Sequence, residues 1–270
     1  MSNEELTVEI NCAKTLIDRE LSKLVRSIEP KLAPQIEYAL LSGGKRLRPL
    51  IVFFAARSVG GDRKKAIPLA LSLELAHTSS LVHDDIIDTD NIRRGKMALY
   101  NKWSTKSAIL TGDLLIAYAV YLASSYGGGI LKMISQSAID LCSGEQMDLA
   151  LAPSSTESEY FQMIESKSAS LFQVAASCGA IVGGGSPKEI ECLADFGKNF
   201  GITYQLRDDL FDLESGEGKA SQDLKKGRTS LPIIHLYGIS NSFERKAIEK
   251  DLRVAAMKNS IESDFAIKSI

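Results

Sequence analysis

Two short clusters of aspartate carry the chemistry open to this sequence. The first is Asp84-Asp85-Ile86-Ile87-Asp88, which closes a largely apolar run and is followed by Asp90, Arg93 and Arg94. The second, Asp208-Asp209-Leu210-Phe211-Asp212, has the same spacing and also closes an apolar run. On a helix, Asp84 stands one turn from Asp88, and Asp208 one turn from Asp212, so like charges share a face and repel. A hard divalent cation with oxygen ligands offsets such a pair best. A single copy also reads as a charged helix end on a wet surface. Two copies after apolar helices point instead to two facing acidic walls lining a cavity, because buried carboxylates need partners. Mg²⁺ typically takes one or two carboxylates and fills its remaining positions with water and phosphate. That implies a phosphorylated substrate.

Four basic or polar groups accompany the clusters. In Gly43-Gly44-Lys45-Arg46-Leu47-Arg48-Pro49, Lys45 and Arg48 lie three apart near a helix start, where the dipole already favours an anion. A solvated basic turn would look the same. His77 is seven residues, two helical turns, before Asp84 and shares its face, whereas His83 lies on another side and reads as structural. A lone histidine is more often a core residue, but the shared face favours phosphate contact. Arg93 and Arg94 can grip phosphate bidentately. Lys167-Ser168 precedes a helix rich in small residues.

Positioning these groups falls to helices. Apolar residues step by three or four from Leu6 to Ile28, and one long helix is expected over 64–88, with Pro68 near its start. Residues 108–126 read as a helix apolar nearly all round, and hence central. Thr156 and Glu159 fit a capping box. A further long helix is expected over 189–212, a mobile polar lid over 214–227, and two or three short helices after Leu231. Strand-like alternation is nowhere sustained, so the expected class is all-α, a single domain of residues 1–270 with about ten or more helices around a deep central cavity.

Bulk properties exclude several classes. The chain has 270 residues, 44% hydrophobic and 24% charged, with a formal charge of -2, which is ordinary for a soluble globular protein and gives no case for nucleic acid. The longest unbroken apolar run, Leu114 to Ala123, falls short of the roughly 20 residues a membrane span takes. The start of the chain is acidic, without a signal-peptide core. Cys12, Cys142, Cys178 and Cys192 have no metal-ligand spacing, and together these features suggest a cytoplasmic protein. Around Gly218-Lys219 there is no phosphate-binding loop, since Leu213 stands where its first glycine should be and Ala220 follows the lysine. The first cluster also lacks the spacing of a calcium-binding EF-hand.

Taken in order, Gly43-Gly44-Lys45-Arg46-Leu47-Arg48-Pro49, Glu74 to His77, Ser80 to Asp88, Arg93-Arg94-Gly95, Gly112-Asp113, Lys167-Ser168, Gln205 to Asp212 and Gly218-Lys219 closely resemble the trans-isoprenyl diphosphate synthase (polyprenyl synthetase) family, over nearly the whole chain. The resemblance implies the all-helical isoprenoid synthase fold, usually as a homodimer. It implies Mg²⁺-dependent head-to-tail condensation of an allylic diphosphate with isopentenyl diphosphate, releasing diphosphate. Asp84, Asp85, Asp88, Asp208, Asp209, Asp212, Arg93, Lys167 and Lys219 would be catalytic. Asp84, Asp88, Asp208 and Asp212 would hold about three Mg²⁺ ions. Arg93, Lys167, Ser168, Gln205, Lys219 and Arg228 would bind the allylic substrate, and Lys45, Arg48, His77 and Arg94 isopentenyl diphosphate. Ser168 stands where the family commonly has Thr, and Arg228 replaces the usual Lys.

Product length depends on what blocks the growing tail upstream of Asp84. Ser79 and Ala76 are small there, where short-chain relatives often carry an aromatic, so an all-trans product of C20 or longer is expected; Phe53 or Phe54 could still form a floor. The alternatives are a farnesyl (C15) synthase and a non-catalytic subunit of a heteromeric synthase. Two complete aspartate clusters argue against the subunit. A terpene cyclase would lack Lys45 and Arg48 and normally a second cluster.

Overall fold

Helix α4 (Arg63–Ile87) explains how one half of the chain is arranged. Asp62 caps it, accepting from Lys64 N at 2.9 Å. Pro68 sits inside its early turns, where a ring without an N–H breaks the hydrogen-bond ladder. The Tyr126 hydroxyl patches the gap, accepting from Leu69 N (3.1 Å) and donating to Lys65 O (2.5 Å). A computed structural model describes residues 2–214 and 228–268, with backbone only at 212–214, 256 and 258–268. The chain divides into two compact units, Met1–Ala138 with Leu171–Gly197, and Ile139–Ser170 with Lys198–Ile270.

In the first unit, α1 (Asn3–Ser27) starts with a Ser2/Glu5 capping box and buries Ala13, Ile17, Leu21 and Val25, one per turn. Next come α2 (Ala33–Leu41), α3 (Leu47–Ser58) and α4. Beyond α4 a two-stranded ribbon, β1 (Ile92–Arg93) and β2 (Lys96–Met97), turns through Arg94 and Gly95. Both turn residues have positive φ (51° and 74°), the type I′ geometry that suits a two-residue hairpin. The sequence reading expected no strand here. A ribbon this short has no room for alternation, and the all-α class stands.

After the short α5 (Leu99–Lys102), α6 (Thr105–Ser124) packs along α4. Ser72 Oγ donates to Ala119 O (2.7 Å) and Ser79 Oγ to Gly112 O (2.8 Å), seven residues apart on each helix, which sets the antiparallel register. Gly112 is required for this approach, because a Cβ there would meet His83 Nε2 at 2.1 Å. The expectation that residues 108–126 form a central helix is corrected. Leu110 and Tyr121 are 68% and 73% exposed, and Ile109, Ile116 and Val120 are exposed with them. By length and composition α6 is also apolar enough to cross a membrane, which counting unbroken apolar residues missed, and a third of it is buried. Also in this unit, besides the first parts of two helices shared with the second, α9 (Ser170–Gly183) buries Phe172, Ala175, Ala176 and Cys178, and burial pushes the Cys178 thiol up to about 12.

The second unit takes the later part of α7 (Gly128–Ala150), then α8 (Glu157–Ile164), a π-helical turn at Glu165–Ala169 and the later part of α10 (Pro187–Glu214). The Thr156/Glu159 capping box is present as expected. Tyr160, Met163, Ile164 and Ile234 form its core, with Met147, Leu151, Ile202 and Leu206 packed around them. In place of two or three short helices, α11 (Leu231–Ile239) is followed by a 27-residue α12 (Ser242–Lys268). The proposed lid falls mostly outside the described residues, as do Gly218 and Lys219.

Candidate active site

The first aspartate cluster ends α4 in a Schellman-type cap. Asp90 N donates to Asp85 O (2.9 Å) and Thr89 N to Ile86 O (3.3 Å), with Thr89 left-handed at φ 53°. A β-branched residue in that conformation is strained. The three carboxylates crowd the negative end of the helix dipole, so they require compensation. Asp85, 4% exposed, obtains it from Arg93, whose Nε donates to Asp85 Oδ1 at 2.6 Å while Nη2 lies 2.5 Å from the same oxygen. Asp90 takes the other side of Arg93, 3.2 Å from Nη2. Asp84 and Asp88 are only partly buried.

The basic groups of the same unit meet this cluster through a strained loop. Gly43 and Gly44 have φ 91° and 136°, and Arg46 is left-handed at φ 55°, a conformation costing roughly 1–2 kcal/mol for a non-glycine residue. Arg94 Nη1 donates to Gly43 O, and a Cβ on Gly44 would meet the Arg94 guanidinium at 3.0 Å. Lys45 is exposed at the loop, and the Arg48 guanidinium lies 4.2 Å over the Phe172 ring. His77 is held neutral: desolvation first, then Arg48, Arg94, Arg46 and Arg93, keep its pKa well below the ordinary value. Two of the charges acting on it, Arg48 and Arg94, are the arginines that the resemblance grouped with it. Tyr38, Ser42, Thr78, Asp85, Arg93 and Arg94 line a recess beside these groups. Of the chain-length positions, Ala76 is half-buried, whereas Ser79 is buried with its hydroxyl committed to α6.

The second cluster lies at the end of α10 and is built from neutral donors. Asp209, 7% exposed, accepts from the Tyr160 hydroxyl (2.6 Å) and from Gln205 Nε2 (2.9 Å), and Ser168 Oγ donates to Gln205 Oε1 (2.7 Å). Asp208 is exposed, and the side chain of Asp212 lies outside the described residues. Lys167 sits in the π-helical turn, a local insertion that re-aims side chains and often marks functional sites. Its Nζ donates to Glu145 (2.9 Å) and Asp148 (2.5 Å). Burial opposes its charge, but the two carboxylates outweigh burial, so its pKa is raised. Asp148, Tyr160, Lys167, Gln205, Asp209 and Arg228 line a recess of this unit.

Residues 29–268 match the Polyprenyl synthetase family. The chain is 34% identical to the geranylgeranyl diphosphate synthase of Methanosarcina mazei, over 98% of this chain and 84% of that one. It is 36% identical to the octaprenyl diphosphate synthase of Escherichia coli, over 76% and 66%. Among solved structures, a geranylgeranyl pyrophosphate synthetase from Pyrococcus horikoshii superposes with a TM-score of 0.84 at 32% identity, covering 98% of this chain and 88% of that one. The chain belongs to the polyprenyl synthetase family. It is a trans-isoprenyl diphosphate synthase.

Within this synthase, the donor chemistry suits Mg²⁺. Among the described residues no three His, Cys, Asp or Glu side chains cluster as a metal cage. The inner aspartates, Asp85 and Asp209, are committed to protein donors, while Asp84 and Asp88 are partly buried and Asp208 is exposed. One or two carboxylates per ion, completed by water and phosphate, is how Mg²⁺ is commonly held. Sequence reasoning missed Glu145 and Asp148, the partners of Lys167, and Tyr160, the partner of Asp209. Glu145 and Asp148 are three apart on α7, a one-face acidic pair that was a usable signal. Tyr160 left none.

Proposed function

We propose that this synthase condenses an allylic diphosphate with isopentenyl diphosphate, head to tail, and releases diphosphate and an all-trans prenyl diphosphate of C20 or longer. The observation that carries the reading is two aspartate clusters of one spacing, each closing a helix and each with an inner carboxylate, Asp85 or Asp209, anchored by protein donors. Asp84, Asp88, Asp208 and Asp212 would hold Mg²⁺, which when bound supplies charge neutralisation for the departing diphosphate. Arg93, Lys167, Ser168, Gln205 and Arg228 bind the allylic diphosphate, with Lys219 assigned by resemblance. Lys45, Arg48, Arg94 and neutral His77 hold isopentenyl diphosphate. The C–O bond of the allylic substrate breaks as positive charge gathers round its diphosphate, and the double bond of the second substrate attacks the resulting carbocation. Loss of a proton, with the released diphosphate as base, completes the step.

The product names of the relatives and the small residues at 76 and 79 support the longer product. The exposed apolar face of α6 supports a homodimer, because contiguous apolar surface of this kind usually meets a partner. The four cysteines are all free thiols, in keeping with a cytoplasmic enzyme. The test is product analysis with purified protein, both substrates and Mg²⁺. Prenyl diphosphates of C20 or longer, abolished by chelation, are expected; no condensation under any allylic starter would refute the reading. Ala76→Phe, which avoids the α6 contact of Ser79, should shorten the product, and an unchanged chain length would remove Ala76 from the ruler.

A further inference from the structure

Arg46 sits in the middle of the basic loop, yet it cannot touch a substrate, because it is only 3% exposed. All three guanidinium nitrogens are engaged. Nε donates to Asp18 Oδ1 (2.8 Å) on α1, Nη1 to Glu74 Oε1 (2.6 Å) on α4, and Nη2 to Leu40 O (2.6 Å) at the end of α2. One side chain therefore ties the loop to three helices. Its backbone is left-handed at the N-cap of α3 and makes no side-chain cap, so the loop geometry is imposed by the ion pairs of Arg46, of which the one to Glu74 is fully buried. The neighbours it sets are Lys45 and Arg48 on either side, Gly44 against Arg94, and His77, three residues after Glu74 on α4.

We propose that Arg46 is a positioning residue for the diphosphate of isopentenyl diphosphate: the Asp18–Arg46–Glu74 triad holds the Gly43–Arg48 loop so that Lys45 and Arg48 are presented beside Arg94 and His77. Arginine is required because a rigid planar fork reaches three acceptors at once, which a lysine ammonium on a flexible stem cannot do. The role is specific to one substrate, since the triad touches neither Arg93 nor Lys167. The inference rests on the substrate assignment proposed above.

Arg46→Lys keeps the charge and loses the fork. Its KM for isopentenyl diphosphate should rise about tenfold or more, while KM for the allylic diphosphate stays within about twofold, as expected when a misplaced loop weakens one bound group. Asp18→Asn, whose carboxylate is partly exposed, should shift the same constant in the same direction by less. Melting temperatures measured alongside report folding. If Arg46→Lys does not fold, the KM split of Asp18→Asn decides. Both KM values rising together, a fall in kcat alone, or no change would overturn the proposal. Calorimetric binding of isopentenyl diphosphate to the parent and the folded variant separates this from the function itself. Should the parent bind but not condense, the functional reading fails, and weaker binding by the variant still supports positioning while equal binding overturns it.

Discussion

The two aspartate clusters share a spacing and differ in what answers the buried charge. Asp85 is met by a full cation, Arg93, itself steadied by Asp90. Asp209 is met by a phenol and an amide, while the nearby cation of its unit, Lys167, is already claimed by Glu145 and Asp148. In the first cluster a cation of the fold neutralises the inner carboxylate. At Asp209 the charge is retained, since neutral donors stabilise a carboxylate without cancelling it. One five-residue pattern thus produces two electrostatic environments.

Removing an outer aspartate should have the largest effect. Asp84→Ala or Asp208→Ala is expected to lower kcat by about 10²–10³-fold, the usual scale for losing one group that stabilises transition-state charge. Equal losses would make the two clusters equivalent, and a loss at only one would sharpen the contrast. The inner positions separate the clusters next. Asp85→Asn removes the charge that meets Arg93 and should destabilise the fold by about 1–3 kcal/mol by urea titration, discounted because Arg93 is partly exposed. Asp209→Asn keeps an acceptor for Tyr160 and should cost less, about 1 kcal/mol. The reverse order would break the comparison.

Tyr160→Phe should cost about 1 kcal/mol in stability by removing a buried hydrogen bond. It should also weaken Mg²⁺ activation by tilting Asp209 and its helix end; an unchanged Mg²⁺ dependence would confine Tyr160 to the core. The smallest effect concerns pH. The folded pKa of His77 is depressed, so between its ordinary value of about 6.5 and its folded value the unfolded chain binds the extra proton. Stability contributed by neutral His77 is then present above about pH 6.5 and lost as pH falls below it. His77→Gln should flatten that part of the stability profile, and an unaltered slope would show that His77 titrates normally.

The helical class and the chemistry-bearing positions were legible because they depend on local spacing: carboxylates four apart at a helix end, Lys45 and Arg48 three apart, a capping box at Thr156. What compensates those groups was not legible. Arg46 finds Asp18 and Glu74 28 residues away on either side, and Tyr160 finds Asp209 49 residues on. Nothing in residue type announces left-handed backbone at Arg46, Thr89 or Arg94, since charged and β-branched residues rarely adopt it without tertiary support. Helix α6 misled for a related reason. An apolar residue on every side tells nothing of which side is covered, and the contacts from Ser72 and Ser79 of α4 made that choice.

By itself, the sequence determined that this is an all-helical synthase with two carboxylate clusters and the cations that accompany them, because side-chain identity and helical period are local quantities. Tertiary structure decided which donors anchor Asp85 and Asp209, and which arginine of the basic loop is buried against three helices. Those choices depend on burial and on partners brought from distant parts of the chain, and only packing sets either.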